Sequence, residues 1–304
     1  MNAQFQRHNP NPLLIAPETR VGALHLRITS VERALPIWRD MIGLHVIDQT
    51  QSELVLGIGD QPLVHLHAGA ERAVRPKSLG LYHIAIHVPA RKEIARAVLR
   101  QLRAGVRTSP TDHLVSEATY LWDLDGNGIE MTFETPERGF IAYTEGSMQM
   151  VTADGKPHSG LEAIELDGLF AELSPDDDLM QPLPVGTRLG HIHVHVSDLE
   201  QSMRFYADTI GFQRQILSPR YGMGDVKTTF EPHILAFNVW SGPMAAQTDK
   251  SHAGLDHFEL VVPNSGELDQ LAGRLDAHQV PFAREGNGAL LMKDPSANAL
   301  KVRV

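Results

Sequence analysis

Cysteine is absent from all 304 residues. Disulfides, thiol nucleophiles and thiolate metal sites are thereby excluded, so any metal must rest on histidine, aspartate or glutamate. Positive charge is also short: 27 Lys+Arg against 37 Asp+Glu leave a formal net charge of −10. That balance repels phosphate backbones and anionic membrane surfaces, so neither nucleic acid nor a membrane is an expected partner. No apolar run approaches the roughly 20 residues that span a bilayer. The opening "MNAQFQRHNPNPLLIAPETR" holds only the short "PLLIAP", with no export-type stretch, which points to a cytoplasmic protein with a loose N-terminal arm over residues 1–20. What the chain has is a globular composition, length enough for two domains, and 16 histidines.

Three of those histidines, His191, His193 and His195, fall at alternate positions in "LGHIHVHVSDLEQSMRFYADTIGF". Alternation through Val196 reads as a strand, since successive side chains point to opposite faces. Ser197 and Glu200 then have capping-box spacing, Leu199, Met203, Phe205 and Tyr206 form a helical stripe, and Gly211 supplies a stop. "GALHLRITSVERALPIWRDMIGLHVI" repeats the unit, with Thr29 and Glu32 as the capping box, Gly43 as the stop, and Pro36 expected to kink the helix after its first turn. "GLYHIAIHVPARKEIARAVLRQL" and "GLDHFELVVPNSGELDQLAGRLDAH" open two further units, each followed by short alternating strands joined by Asp/Gly/Asn turns. Four βαβββ modules therefore begin near residues 21, 80, 188 and 254, an α+β chain. Modules one and two occupy 21–140 and modules three and four 188–304. Strand periodicity fades over the 141–187 connector, where "GLEAIELDGLFAEL" suits a short amphipathic helix and "SPDDDLMQPLPVG" a hinge.

The four modules, with histidine on first strands and "DLDGNGIE" in a last strand, resemble the vicinal oxygen chelate superfamily of glyoxalases, bleomycin-resistance proteins and extradiol dioxygenases. "LYHIAIHVP", "DHLVSEATYLWDLDGNGIEM" and "GHIHVHVSDL" are similar to the catechol 2,3-dioxygenase group within it. The resemblance covers the chain beyond its N-terminal arm. It implies that pairs of modules curl into cup-shaped sheets, with ligands facing inward from first and last strands. Aligned modules place Ala23, His83, His191 and His257 at one position, and Glu130 opposite Lys301. Pairing modules three and four lacks a carboxylate, because a lysine cannot serve as an anionic ligand. Pairing one and two works only if His25 reaches inward. Pairing two with three offers His83, Glu130 and His191 complete, and crossed pairing is known in the superfamily, so a metal site between modules two and three is expected. Two histidines and one carboxylate suit Fe(II), with Mn(II) also fitting, and leave one face open for substrate and O2.

The same resemblance implies an acid/base histidine on the last strand of the module lacking the glutamate, matched by His233, and a substrate-binding histidine and tyrosine upstream of the glutamate, matched by His113 and Tyr120. His193, one pleat beyond His191, is expected near the substrate or behind the ligands, whereas His195 suits a hydrogen-bonded strand histidine. Taken alone, His233 would ordinarily be a turn residue and Tyr120 a core residue. Their joint occurrence with the triad favours function. His25, His65, His67, His87 and His257 read as structural, with His65 and His67 facing solvent from an edge strand. Arg220, Tyr221 and Trp240 are candidate pocket-wall residues. The expected activity is an extradiol dioxygenase acting on a small catechol-type aromatic with O2, and exposed strand edges permit a homo-oligomer. The alternatives are a glyoxalase-like metal isomerase or transferase, which would call for a second carboxylate near Asn238, and a metal-free protein that binds a small aromatic.

Overall fold

A computed structural model of the chain describes residues 14–144 and 147–304. Module one comprises β1 (Arg20–Ile28), α1 (Val31–Leu35), β2 (His45–Gln49), β3 (Glu53–Ile58) and β4 (Gln61–Ala68). Module two comprises β5 (Gly80–His87), α2 (Arg91–Arg103), β6 (Ser109–Asp112), β7 (Ser116–Trp122) and β8 (Gly128–Glu134). Four short strands follow, β9 (Gly139–Thr144), β10 (Ser147–Thr152), β11 (Pro157–His158) and β12 (Glu162–Ala163), then α3 (Leu166–Phe170). Module three comprises β13 (Arg188–His195), α4 (Leu199–Met203), β14 (Gln213–Ser218), β15 (Met223–Lys227) and β16 (Leu235–Asn238). Module four comprises β17 (Gly254–Val261), α5 (Ser265–Ala277), β18 (Phe282–Arg284), β19 (Leu290–Lys293) and β20 (Ala299–Arg303).

The modules pair crosswise. An eight-stranded sheet in the order β18-β19-β20-β17-β1-β4-β3-β2 joins modules four and one, and a nine-stranded sheet in the order β12-β6-β7-β8-β5-β13-β16-β15-β14 joins two and three. At each centre the first strands of two modules run antiparallel, β1 against β17 and β5 against β13. Each first strand has its own module's last strand parallel on its other side. First and last strands therefore lie side by side at the centre, where residues two apart share a face.

Modules one and two, like modules three and four, meet through helices and buried polar groups instead. Arg100 of α2 donates Nη2 to the Ile42 carbonyl at 2.8 Å, and Arg274 of α5 donates Nη2 to that of Ile210 at 2.9 Å. Each guanidinium satisfies carbonyls that the preceding module's helix end leaves open. Asp123, in the turn before β8, accepts from Trp38 Nε1 at 3.2 Å, and Asp294, in the turn before β20, accepts from Tyr206 Oη at 2.8 Å. Asp123 also accepts from the backbone N–H of Asp125 and Asn127 at 3.0 and 2.8 Å. These bonds hold the "DLDGN" turn from within and so fix where β8 enters the sheet.

Some local expectations give way to tertiary partners. The helix caps are Ser30 and Asp198, bonded to the N–H groups of Arg33 and Gln201, one residue later than expected. Thr29 instead donates its N–H and Oγ1 to Asp125 at 2.7 Å each, and Ser197 donates its N–H to Ser296 Oγ at 2.9 Å. After α1 the chain widens into a π-helical turn over Pro36–Met41, and it does the same over Arg204–Ile210 without a proline, so proline is not the sole cause. Gly43 and Gly211 close these turns with φ of 97° and 98°, values that favour glycine. Strands persist beyond residue 139 where periodicity fades: β9, β10 and β11 form a small sheet, and β12 adds to the edge of the nine-stranded sheet. Residues 1–13 of the N-terminal arm lie outside the described residues; Ile15 is buried and donates its N–H to the Gly211 carbonyl at 2.9 Å. Among the described residues no helix is long and apolar enough to cross a membrane.

Candidate active site

Strand register explains how three distant residues come together. His191 on β13 pairs with Ala85 on β5, Glu130 on β8 pairs with the same Ala85 from the other side, and His83 lies two residues before it on β5. All three side chains rise from one face around the smallest side chain available. Glu130 Oε2 lies 3.0 Å from His83 Nε2 and 3.2 Å from His191 Nε2, and the two nitrogens are 3.2 Å apart. Ligand atoms about 2.1 Å from one ion and at right angles to one another would stand about 3.0 Å apart, so the donor set fits a single divalent ion. Two close approaches need glycine: a Cβ on Gly128 would stand 2.0 Å from the Tyr82 carbonyl, and one on Gly190 would stand 2.0 Å from the His87 ring.

The electrostatics keep His191 and Glu130 in ligand form. Burial, together with the charge of His233, pushes the His191 imidazole down to about 3. Burial alone would raise the Glu130 carboxyl, but the charges and hydrogen bonds of His83 and His191 more than offset it and hold the group well below the usual carboxylate range. Thr132, two residues along β8, donates Oγ1 to Glu130 Oε1 at 2.8 Å, which leaves Oε2 to the imidazoles. Nothing in the spacing marked Thr132 beforehand beyond its place on the inward face.

The other candidates surround this junction. The His233 ring packs edge-on against His191 at 4.4 Å between centroids, and its Nδ1 bonds Asp225 Oδ2 at 2.7 Å. Burial lowers the His233 imidazolium, yet the hydrogen bond and charge of Asp225, with the charges of Glu130 and Glu134, raise it above its ordinary value. Asp225 itself is buried on β15 and was not singled out from sequence; its only trace there is a carboxylate in the alternating strand "MGDVK". Tyr120 pairs with Glu130 across β7 and β8, and its Oη bonds His113 Nε2 at 2.9 Å. Burial, then the Glu130 charge, raises its phenol well above the ordinary value. His113 is held in turn by the Gly160 carbonyl at Nδ1, 2.6 Å away.

His193 is buried beside His83, its Nε2 bonded to Asn238 Nδ2 at 2.8 Å, with Tyr82 and Trp240 against its ring. Asn238 Oδ1 meets His195 Nδ1 at 2.7 Å, so the amide is committed at both ends where a second carboxylate would stand in a glyoxalase-like site. His195 is thus a hydrogen-bonded strand histidine. Of the candidate wall residues, Trp240 packs edge-on to Tyr82 and donates Nε1 to the Tyr221 carbonyl, whereas Arg220 lies over the Tyr221 ring. His65 and His67 do not face solvent from an edge strand: β4 runs between β1 and β3, and both are half-buried beside His25.

Comparison with known proteins agrees with this architecture. Residues 20–131 and 188–302 match the family model described as Glyoxalase/Bleomycin resistance protein/Dioxygenase superfamily. A catechol-2,3-dioxygenase of Bacillus subtilis (strain 168) is 35% identical over 291 residues, covering 94% of this chain and 97% of that protein. Among solved structures, a glyoxalase I of Zea mays overlays with a TM-score of 0.55 at 12% identity, covering 93% of this chain and 92% of its own. The cppA protein of Streptococcus pneumoniae TIGR4 overlays with a TM-score of 0.54 at 11% identity, covering 96% and 99%. At such identities the structural likenesses speak to the fold alone.

Proposed function

The chain belongs to the glyoxalase/bleomycin resistance protein/dioxygenase superfamily, and from that premise we propose that it is an extradiol dioxygenase, opening a catechol-type ring next to its two hydroxyls with O2. The observation that carries the reading is the buried junction of His83, Glu130 and His191, one carboxylate oxygen facing two imidazole nitrogens at 3.0 and 3.2 Å. Iron(II), or manganese(II) in its place, would be held by these three residues and would supply the Lewis acidity that ionises the catechol and the electrons that engage O2.

The remaining chemistry falls to the protein. His233, with Nδ1 committed to Asp225, keeps Nε2 free to take a proton from a catechol hydroxyl and return it as the ring bond breaks. Its raised pKa suits the returning step, since the protonated form persists to higher pH. Tyr120 stays a neutral phenol and, linked to His113, offers a hydrogen bond to substrate or to the developing oxyanion. Tyr82, His193 and Trp240 form an aromatic wall beside the junction. That aromatic wall suits a small aromatic substrate, and a committed Asn238 disfavours the glyoxalase-like alternative.

The test loads metal-free protein anaerobically with Fe(II), adds catechol, admits air, and follows O2 uptake with the yellow ring-opened product. One O2 consumed per ring opened is expected. No uptake across a panel of substituted catechols and hydroquinones would overturn the reading, and tight binding of the aromatic without metal would favour a sequestering protein.

A further inference from the structure

The eight-stranded sheet carries a counterpart of the central strand arrangement, with its donors redistributed. In the nine-stranded sheet His83 pairs with His193 and Ala85 with Glu130; in the other, His257 pairs with His25 and Glu259 with Lys301. The lysine at Glu130's counterpart is tied to Glu285 at 2.8 Å, and a carboxylate appears instead at Ala85's counterpart, Glu259. His25, His257 and Glu259 each offer a ligand atom within 4.8 Å of the others. We propose that these three residues form a second site for a divalent first-row transition ion, of the zinc or nickel class, joining module one to module four.

Each residue has one atom anchored and one left for an ion. His257 Nδ1 bonds Asp256 Oδ2 at 2.8 Å, leaving Nε2 uncommitted. His25 Nδ1 bonds His67 Nε2 at 3.2 Å, while its Nε2 is buried without a hydrogen-bond partner, 3.7 Å from Glu259 Oε1. Glu259 Oε2 accepts from Arg303 Nε at 2.7 Å and from the Ala23 N–H at 3.3 Å, which leaves Oε1. Metal-binding histidines are commonly oriented through the second ring nitrogen in this way. The His25 and His257 rings are stacked 4.0 Å apart and 13° from parallel, so both must tilt to share one ion. Two imidazoles and a carboxylate suit zinc, nickel, copper or iron better than magnesium or calcium. Because β1 and β17 lie more than 200 residues apart in sequence, an ion there would bind the folded sheet and not the unfolded chain, and so would stabilise it.

The test titrates the chelator-stripped full chain with Zn(II) against a chromophoric competitor, in wild type, Glu130→Gln, His257→Gln and the double variant, with far-UV circular dichroism checking the fold. The expected tight equivalents are two, one, one and none, and Zn(II) should raise the melting temperature of Glu130→Gln but not of the double variant. A stoichiometry unchanged by His257→Gln would overturn the proposal. Should His257→Gln fail to fold, Glu259→Gln must lower the stoichiometry by one or the proposal fails. Loss of the first site alone would read differently: one equivalent in wild type, kept in Glu130→Gln and lost in His257→Gln.

Discussion

Replacing Asp225 by asparagine tests the proton-transfer assignment without touching a metal ligand. Asp225 Oδ2 takes the His233 Nδ1 proton at 2.7 Å, while Oδ1 accepts the Ile216 N–H at 3.0 Å. The Asp225→Asn amide can keep the Ile216 bond through its oxygen only by presenting its NH2 to His233. His233 Nδ1 must then accept, which places the remaining ring proton on Nε2 and prevents that nitrogen from acting as a base. A hydrogen bond to a charged group is worth about 1.5–3 kcal/mol, so kcat/KM should fall about ten- to a hundredfold at 1.36 kcal/mol per decade. The acidic limb of the rate profile should move to lower pH, because the carboxylate that raises the His233 pKa is gone and the free base persists to lower pH. Steady-state O2 uptake from pH 5 to 9, normalised to bound iron, is the assay. Turnover within twofold of wild type with an unmoved pH profile would refute the reasoning.

Other perturbations probe separate parts of the account. Ala85→Leu fills the space enclosed by His83, Glu130 and His191, and should abolish iron retention while lowering stability by about 1–3 kcal/mol; iron analysis with thermal denaturation checks both. His87 is largely buried with neither ring nitrogen hydrogen-bonded, although Nδ1 lies 3.4 Å from Glu134 Oε1, and burial, then the Arg188 charge, pushes its pKa down to about 4. Between the ordinary imidazole value near 6.5 and 4 the unfolded chain binds the extra proton, so this contribution is intact above about 6.5 and lost on acidification, to the extent of about 3 kcal/mol. His87→Leu should shift the acid-unfolding midpoint of the metal-free protein to lower pH, as followed by tryptophan fluorescence. Arg100→Met leaves the Ile42 and Leu179 carbonyls without their donor and should cost roughly 2–4 kcal/mol in urea unfolding, with the two sheets' central strands unaltered.

The repeat and the three donors were legible because each leaves a local mark, and the crossed pairing followed from the donor count, since at the aligned positions modules two and three together supply two histidines and a carboxylate, whereas one with two and three with four do not. Alternation reveals the strands, and a carboxylate amid "GIEMTF" is conspicuous as a partly buried charge. Thr132 left no such mark, and Asp225 and Glu259 left only a carboxylate in an alternating strand, with nothing to show what it meets. The two carboxylates depend on partners outside their own strands: His233, which lies in the turn before β16 and not on that last strand as expected, for Asp225, and Arg303 and His25 for Glu259. The caps moved by one residue for the same reason, since Asp125 and Ser296 lie about 100 residues from the hydroxyls they engage. His65 and His67 looked solvent-facing because a strand's place in its sheet depends on pairing, which here puts β4 between β1 and β3.

The most direct measurement is iron content and O2 uptake after anaerobic Fe(II) loading and desalting, in a His257→Gln background so that only the buried triad is counted. Adding Glu130→Ala or His191→Ala should remove iron and turnover together, whereas His233→Ala should keep the iron and lose turnover. Retention of both iron and ring-opening activity in Glu130→Ala would contradict the account.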